Sequence, residues 1–184
     1  MSDEPLRTMG GSQPQLIIIR GPAGAGKSTI TASASAQIRA TGGAAPVAVM
    51  EQDYFNNSIA GRQHGYRDVA IKMILRSGLA CQEEGFSLIL EGVLNVIYYK
   101  DCFDQLIAAY GAENTNFYFM DVSLEETKVR HQTRPKAREF SADLLDEWFA
   151  AATPTGYKNE VILGQHFRAE ESIDLIVTNY LNPV

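Results

Sequence analysis

One nine-residue stretch, residues 21–29, constrains this chain more than any other. Its sequence, GPAGAGKST, fits the pattern GxxxxGKS, whose glycines let the backbone wrap around phosphate groups. An apolar run at residues 16–19 favours a strand before it, and residues 28–40 favour a helix after it. A strand, a glycine-rich turn and a helix in this order direct backbone N–H groups and the positive end of a helix dipole toward one small space. The stretch therefore predicts a polyphosphate site.

The individual residues of this motif have distinct roles in such a site. Lys27 would reach the β- and γ-phosphates, and the hydroxyl of Ser28 would be a ligand for Mg²⁺. The nucleotide-binding residues predicted from the motif are Gly21, Ala23, Gly24, Ala25, Gly26, Lys27, Ser28 and Thr29. The alternative is a glycine-rich turn with a chance lysine. That alternative leaves unexplained why strand, turn and helix occur in the required order.

Length and composition limit the class of protein. A chain of 184 residues with 45% hydrophobic residues suits one buried core, so we expect a loose N-terminal arm at residues 1–14 and a single domain at residues 15–184. The net charge of −6 argues against nucleic acid or an anionic membrane as partner. No apolar run approaches the roughly 18 residues of a membrane span, so we expect a cytoplasmic protein. Cys81 and Cys102 lack metal-ligand spacing and are expected as buried thiols.

Apolar runs recur along the chain at strand-like length. The predicted strands are residues 16–19, 46–50, 87–91, 116–122 and 173–178. The connections between them are long enough for each strand to return in parallel. The sequence therefore predicts an α/β fold with three layers around a five-stranded parallel sheet.

Helical periodicity occupies most of the connecting segments. The predicted helices are residues 28–40, 66–84, 99–110 and 141–152. Ser123 followed by Glu126 has the spacing of a capping box and predicts a further helix start. Residues 54–65 are polar and irregular, and we expect a loop there.

Acidic residues follow two of the predicted strands. Ligands of parallel sheets bind beyond the carboxyl ends of the strands, so residues 51–53, 91–92, 121 and 178–179 should face one crevice with the phosphate motif. Asp53 would accept the proton of an attacking hydroxyl, with a helix cap or turn as the alternative. Glu91 would hold Mg²⁺ together with Ser28, or polarise the substrate. The alternative for Glu91 is a solvated residue at a strand end.

A basic cluster follows the fourth predicted strand. Arg130, Arg134 and Arg138 recur every four residues, and Pro135 would end the helix that carries the first two. Arginines that leave a helix into a loop suit a lid, at about residues 131–141, that neutralises charge on a transferring phosphoryl group. The alternative is a basic helix end that pairs with its own dipole and with nearby carboxylates.

Taken together, the phosphate motif, the Asp53 strand end, Glu91 with Gly92, and Arg130 with Arg134 resemble the small P-loop kinases. That family includes adenylate kinase, shikimate kinase, gluconate kinase, chloramphenicol phosphotransferase and the zeta toxins. The resemblance implies a P-loop NTPase fold with a helical lid, ATP as donor with GTP left open, and Mg²⁺. It also implies that Arg130 lies against the base, that Arg134 contacts phosphate and that Asp53 serves as the catalytic base.

The expected acceptor region departs from that of a nucleoside monophosphate kinase. A phosphate-bearing acceptor calls for paired arginine forks, and only Arg62 and Arg67 are available there. Aromatic and amide groups instead suit an uncharged acceptor such as a nucleoside, a sugar or an antibiotic. The residues predicted to bind it are Asp53, Tyr54, Phe55, Arg62, Glu91 and Asn95. A partly packed loop is the alternative for this group.

These expectations combine into a small-molecule kinase that transfers the γ-phosphoryl group of ATP or GTP to an alcohol. Its catalytic residues would be Lys27, Asp53, Arg134 and Arg138. Two alternatives stay open. One is a zeta-like toxin that phosphorylates an activated amino sugar and has an antitoxin partner. The other is a nucleotide-binding regulatory or assembly protein with slow hydrolysis. A homodimer also stays open.

Overall fold

The structure is a computed structural model that describes residues 13–42, 45–62, 65–127 and 152–183. Most of the predicted N-terminal arm, the predicted lid and the predicted helix at residues 141–152 lie outside these residues. So do Arg130, Arg134 and Arg138.

A five-stranded, wholly parallel sheet forms the centre of the structure, as predicted. Its strands are β1 (Leu16–Arg20), β2 (Val47–Glu51), β3 (Ser87–Gly92), β4 (Thr115–Asp121) and β5 (Glu160–Gly164). They lie in the order β2-β3-β1-β4-β5. The phosphate motif therefore leaves the central strand. Glu51 and Glu91 lie at the ends of the two strands on one side of it, and Asp121 ends the strand on the other side.

Helices cover both faces of this sheet. They are α1 (Lys27–Ala40), α2 (Gln52–Tyr54), α3 (Tyr66–Glu83), α4 (Val96–Tyr110) and α5 (Ala169–Leu181). Leu16 and Ile18 of β1 pack toward α3 and α4, whereas Ile17 and Ile19 pack toward α1 and α5. Because both faces are buried, β1 is apolar at consecutive positions. Among the described helices, none combines the length and the apolar character needed to cross a lipid bilayer.

The prediction of a last strand at residues 173–178 was wrong, because this segment lies in α5. Its buried residues, Ser172, Ile173, Ile176 and Tyr180, follow the helical period. The backbone N–H of Arg168 donates to Glu171 Oε2, a contact that helps begin the helix. The true fifth strand is Glu160–Gly164, and residues 178–179 therefore do not lie at a strand end.

Two other boundaries differ from the predictions. The chain continues from β2 directly into α2 and then into a π-helical turn, Phe55–Ile59, so the first part of the predicted loop is helical. α4 begins at Val96, earlier than predicted, because Asn95 Oδ1 accepts a hydrogen bond from Ile97 N at 2.9 Å. The predicted helix start after β4 is present in the described part, where Ser123 Oγ accepts from Glu126 N at 3.2 Å.

Candidate functional site

The turn between β1 and α1 is shaped by glycines with positive φ angles. Gly21, Gly24 and Gly26 have φ of 142°, 89° and 100°. A Cβ atom at Gly21 would lie 2.7 Å from the carbonyl oxygen of Met120, and one at Gly24 would lie 3.0 Å from Thr127 Cγ2. Side chains at these two positions would collide with β4 and the helix that follows it. The glycines therefore allow the turn to curl tightly against the neighbouring strand.

The lysine of the motif lies inside this turn. Its side chain is buried, and Nζ donates to the carbonyl oxygens of Gly21 at 3.0 Å and Pro22 at 2.8 Å. Both acceptors belong to the phosphate motif itself. The positive charge of Lys27 is thereby held in the concavity where a polyphosphate is expected.

Ser28 and Glu91 join the phosphate motif to the end of β3. Ser28 Oγ donates to Glu91 Oε1 at 3.1 Å, and Glu91 is only 4% exposed. Burial raises the pKa of the Glu91 carboxyl above its ordinary value, whereas Lys27 and the Ser28 hydroxyl oppose that rise. Repulsion from Glu51 and Asp53 adds to it. Glu91 is therefore not a solvated strand-end residue. Its carboxyl group interacts electrostatically with Lys27, Glu51 and Asp53.

The hydroxyl of Ser28 and the carboxylate of Glu91 are hard oxygen donors of the kind that Mg²⁺ prefers. In the described part of the chain, no group of three or more His, Cys, Asp and Glu side chains is placed to hold a metal ion. A full protein cage is not required, because Mg²⁺ at phosphate sites usually takes one or two protein oxygens and completes its shell with phosphate and water. The adjacent pair fits that arrangement.

Asp53 lies just beyond β2, in the first turn of α2, and its side chain is exposed. Glu51, not Asp53, occupies the N-cap position of that helix. Tyr54 is also exposed, but Phe55, predicted to contact the acceptor, is 7% exposed and packs in the core between the sheet and α3. Asp53 and Tyr54 are thus available to a ligand, whereas Phe55 is a core residue.

Two further residues predicted to contact the acceptor have local partners. Arg62 has a φ of 51°, and its Nε donates to Asn57 Oδ1 on the exposed side of the π-helical turn. Asn95 is only partly exposed, and its side-chain oxygen caps α4. Both residues remain at the surface next to the segments that carry Asp53 and Glu91.

Comparison with known proteins decides the fold. No family model matches the chain, and no curated protein matches it in sequence. Among solved structures, a sugar kinase from a Janibacter species matches with a TM-score of 0.71 and 20% identity, over 93% of this chain and 96% of that one. A gluconokinase from Sinorhizobium meliloti matches with a TM-score of 0.63 and 17% identity, over 91% and 92%. The Mycobacterium tuberculosis APS kinase in complex with AMPPNP and APS gives 0.68 and 13%, over 90% and 96%.

The chain has the P-loop kinase fold. This confirms the predicted α/β class and its five-stranded parallel sheet. In this P-loop kinase fold, the phosphate motif leaves the central strand. On one side of it, Glu91 lies near the end of β3 and Asp53 follows β2.

Arg20, the last residue of β1 in this P-loop kinase fold, was not predicted from the sequence as part of the site. Its side chain is fully buried, and Nη1 lies 3.4 Å from Glu160 Oε1 and donates to Thr153 O at 2.6 Å. Nη2 donates to Leu94 O at 3.0 Å. Burial lowers the pKa of the Arg20 guanidinium, and Glu160 opposes that effect. The sequence did contain a signal for this residue, because Arg20 is a charged residue at the end of an otherwise apolar strand.

Gln52, the first residue of α2, was also missed. Its Oε1 accepts from Leu94 N at 3.0 Å, and its Nε2 donates to the hydroxyl of Tyr99 at 2.9 Å. Gly92 permits this packing, since a Cβ atom there would lie 2.5 Å from Gln52 Cβ. The absence of a side chain at Gly92 thus lets Gln52 approach the backbone closely. No local sequence pattern indicates contacts of this kind.

Proposed function

We propose that this protein is a kinase that transfers the γ-phosphoryl group of ATP or GTP to a hydroxyl of a small, uncharged acceptor. The observation that carries the proposal is the hydrogen bond between Ser28 in the phosphate motif and Glu91 at the end of β3. It brings a phosphate-binding turn into direct contact with the acidic edge of the sheet. Phosphoryl transfer needs these two elements together, because the phosphates and the attacking hydroxyl must be held in line.

The phosphate groups would be bound by Lys27 and the backbone of residues 21–29. The carbonyl oxygens of Gly21 and Pro22 now accept from Lys27 Nζ, and phosphate oxygens can replace them as acceptors. This exchange leaves the buried ammonium with a partner of opposite charge, which makes it favourable. Ser28 and Glu91 would hold Mg²⁺, which neutralises phosphate charge when it is bound.

Asp53 would act on the acceptor. Its exposed carboxylate follows β2 beside Glu91, where it can accept the proton of an attacking hydroxyl and orient that hydroxyl. Glu51 and Glu91 add further negative charge at this edge. An acceptor that carried its own negative charge here would be repelled, which favours a neutral alcohol. Tyr54, Arg62 and Asn95 are the further residues proposed to contact it.

The arginines predicted to neutralise the transferring group complete the proposal. Arg134 and Arg138 would close over the phosphoryl group, and Arg130 would lie against the base of the nucleotide. The comparisons support a small-molecule kinase in general, since the matching structures are a sugar kinase, a gluconokinase and an APS kinase.

A screen for acceptor-dependent release of nucleoside diphosphate tests this function. Purified protein would be incubated with ATP or GTP, Mg²⁺ and a panel of nucleosides, sugars, antibiotics and nucleotide-activated amino sugars. We expect at least one neutral alcohol to stimulate release, and we expect Lys27→Ala to abolish the stimulation. Lys72→Ala, which removes an exposed lysine of α3, is the matched control.

Three outcomes would redirect the proposal. Stimulation only by activated amino sugars, together with growth arrest on expression that Lys27→Ala relieves, would favour the toxin alternative. Slow nucleotide hydrolysis that no acceptor changes would favour a regulatory or assembly protein. Stimulation that persists in a folded Lys27→Ala variant would contradict the role of the phosphate motif.

A further inference from the structure

The backbone of Leu94 adopts a conformation that is unusual for a residue with a branched side chain. Its φ is 46°, in the left-handed region, and its side chain is fully buried in the connection between β3 and α4. Such a conformation persists only where the surroundings hold it in place. The peptide groups on both sides of Leu94 are held, since its N–H donates to Gln52 Oε1 and its carbonyl accepts from Arg20 Nη2, each at 3.0 Å.

The two residues that hold Leu94 are sequence neighbours of candidate site residues. Gln52 directly precedes Asp53 on α2, and Arg20 directly precedes Gly21, the first residue of the phosphate motif. We call Arg20, Leu94 and Gln52 the Leu94 clamp. It forms a continuous path of hydrogen bonds from the end of β1, through the backbone of Leu94, to the start of α2.

Gln52, at the α2 end of the Leu94 clamp, is fixed by contacts on two sides. Gln52 Nε2 donates to the hydroxyl of Tyr99, a residue of α4 that is 1% exposed. Gln52 also packs directly on the backbone of Gly92, where no Cβ atom could fit without displacing it. The side chain of Gln52 therefore has little freedom, and α2 cannot shift without breaking these contacts.

Arg20, at the β1 end of the Leu94 clamp, is also constrained by its contacts. Arg20 is fully buried, pairs with Glu160 and donates to the carbonyl of Thr153. Glu160 Oε2 in turn accepts from the backbone N–H groups of Thr155 and Gly156. A shift of the Arg20 guanidinium would leave a buried charge without its partner, which is strongly unfavourable.

The chemistry of a glutamine suits the position of Gln52. An amide offers one acceptor to Leu94 N–H and one donor to the Tyr99 hydroxyl without adding charge. Asp53 and Glu51 flank it in sequence, and Glu91 lies nearby across the sheet register. A carboxylate at position 52 would add to the repulsion among these acids.

We propose that Gln52 is a positioning residue that, through the Leu94 clamp, fixes the placement of Asp53 relative to the phosphate motif. The proposal rests on the kinase function for its catalytic consequence, because Asp53 must meet the acceptor hydroxyl in line with the γ-phosphate. A misplacement of about 1 Å in such a site can lower the rate about 100-fold. Gln52 itself does not touch the reacting atoms.

Gln52→Met tests the clamp, because methionine has a similar length, but its thioether is only a weak acceptor for Leu94 N–H and has no proton to donate to the Tyr99 hydroxyl. Gln105→Met is the matched control, since Gln105 is exposed on α4 and its Nε2 bonds only within that helix, to Asp101 O. Gly92→Ala is a second variant that displaces Gln52 by a different route. For each protein, amide hydrogen exchange at Leu94, the Kd for nucleotide and the kcat with the best acceptor would be measured.

We expect Gln52→Met and Gly92→Ala to accelerate exchange at Leu94 at least about tenfold, because the amide loses its acceptor. We expect kcat to fall about 10- to 100-fold while the Kd for nucleotide changes less than about threefold. Gln105→Met should match the wild type in all three measurements.

The outcomes separate the clamp from the kinase function. Unchanged exchange at Leu94 in folded Gln52→Met and Gly92→Ala overturns the clamp, whether or not the protein is a kinase. Accelerated exchange with unchanged kcat overturns the positioning role. If the variants exchange faster at Leu94 but the wild type transfers phosphate to no acceptor, the clamp is supported as a link between the end of β1 and the start of α2. The same result contradicts the proposed kinase function.

Discussion

The hydroxyl of Ser28 donates to the carboxylate of Glu91 at 3.1 Å, which joins the first turn of α1 to the end of β3. The two residues are 63 positions apart in sequence, so the contact exists only because β1 and β3 are neighbours in the sheet. It places the buried carboxylate of Glu91 against the phosphate motif.

The raised pKa of Glu91 makes stability depend on pH. A carboxyl group whose pKa is higher in the folded state than in the unfolded state makes its full contribution to stability at pH values below its unfolded-state pKa, near 4.5. That contribution is lost as the pH rises through the folded-state pKa. Glu91→Gln stays neutral, so we expect its stability relative to the wild type to increase as the pH is raised above about 4.5. Urea unfolding of both proteins at a series of pH values measures this. A constant difference across the series would mean that the pKa of Glu91 is not raised.

Asp53→Asn should separate binding from transfer. The amide cannot accept the proton of the acceptor hydroxyl, so kcat should fall about 10²- to 10⁴-fold while nucleotide binding is retained. Acceptor-dependent turnover and a nucleotide titration of the same protein provide the two readouts. Asp101→Asn, at an exposed position on α4, should behave as the wild type. Near-normal turnover of folded Asp53→Asn would exclude Asp53 as the base.

Gly21→Ala should destabilise the fold more than the same substitution at an uncrowded glycine in the left-handed region. The new Cβ atom would lie 2.7 Å from the carbonyl oxygen of Met120, which belongs to β4 and cannot easily move. Gly42→Ala is the comparison, because Gly42 has a φ of 68°, in the left-handed region that other residues can adopt, and has open space around its Cβ position. It lacks both the contact and the backbone strain expected at Gly21. We expect Gly21→Ala to lower the free energy of unfolding by about 1–3 kcal/mol more than Gly42→Ala does. It should also weaken nucleotide binding, and equal effects of the two substitutions would argue against close packing of this turn on β4.

Arg20→Met should destabilise the fold strongly. Removal of the guanidinium leaves the carboxylate of Glu160 buried without its partner, and breaking such a pair usually costs about 3–5 kcal/mol. Arg168→Met removes an arginine from a solvent-exposed pair with Glu171, which should cost much less because water screens such a pair. Denaturant unfolding of both variants makes the comparison. Similar losses in the two variants would show that the Arg20 pair is not a buried one in solution.

The first four strands could be predicted because each is a continuous apolar run bounded by turns. β5 was missed because it is an edge strand with mixed burial, where Ile162 is 43% exposed. The run at residues 173–178 has the length of a strand, and a short apolar run does not by itself distinguish a buried strand from a helix. Only the spacing of buried residues in the folded chain shows the helical period of α5.

The phosphate motif could be predicted because its chemistry is local, whereas most of the Leu94 clamp could not. Glu91 was found from the rule that ligands bind at the carboxyl ends of parallel strands. Gln52 contacts Leu94 from 42 residues away, and that contact depends on how α2 packs on the end of β3. The positive φ of Leu94 could not be predicted from its residue type, because such conformations are usually adopted by glycine or asparagine.

The most direct test of the kinase function follows the γ-phosphoryl group itself. Wild type and Asp53→Asn would be incubated with γ-labelled ATP, Mg²⁺ and the acceptor that most stimulates release of nucleoside diphosphate, and the labelled products would be separated and identified. We expect the wild type to transfer the label to a hydroxyl of the acceptor and Asp53→Asn to do so far more slowly. Label found only in inorganic phosphate would contradict the kinase function.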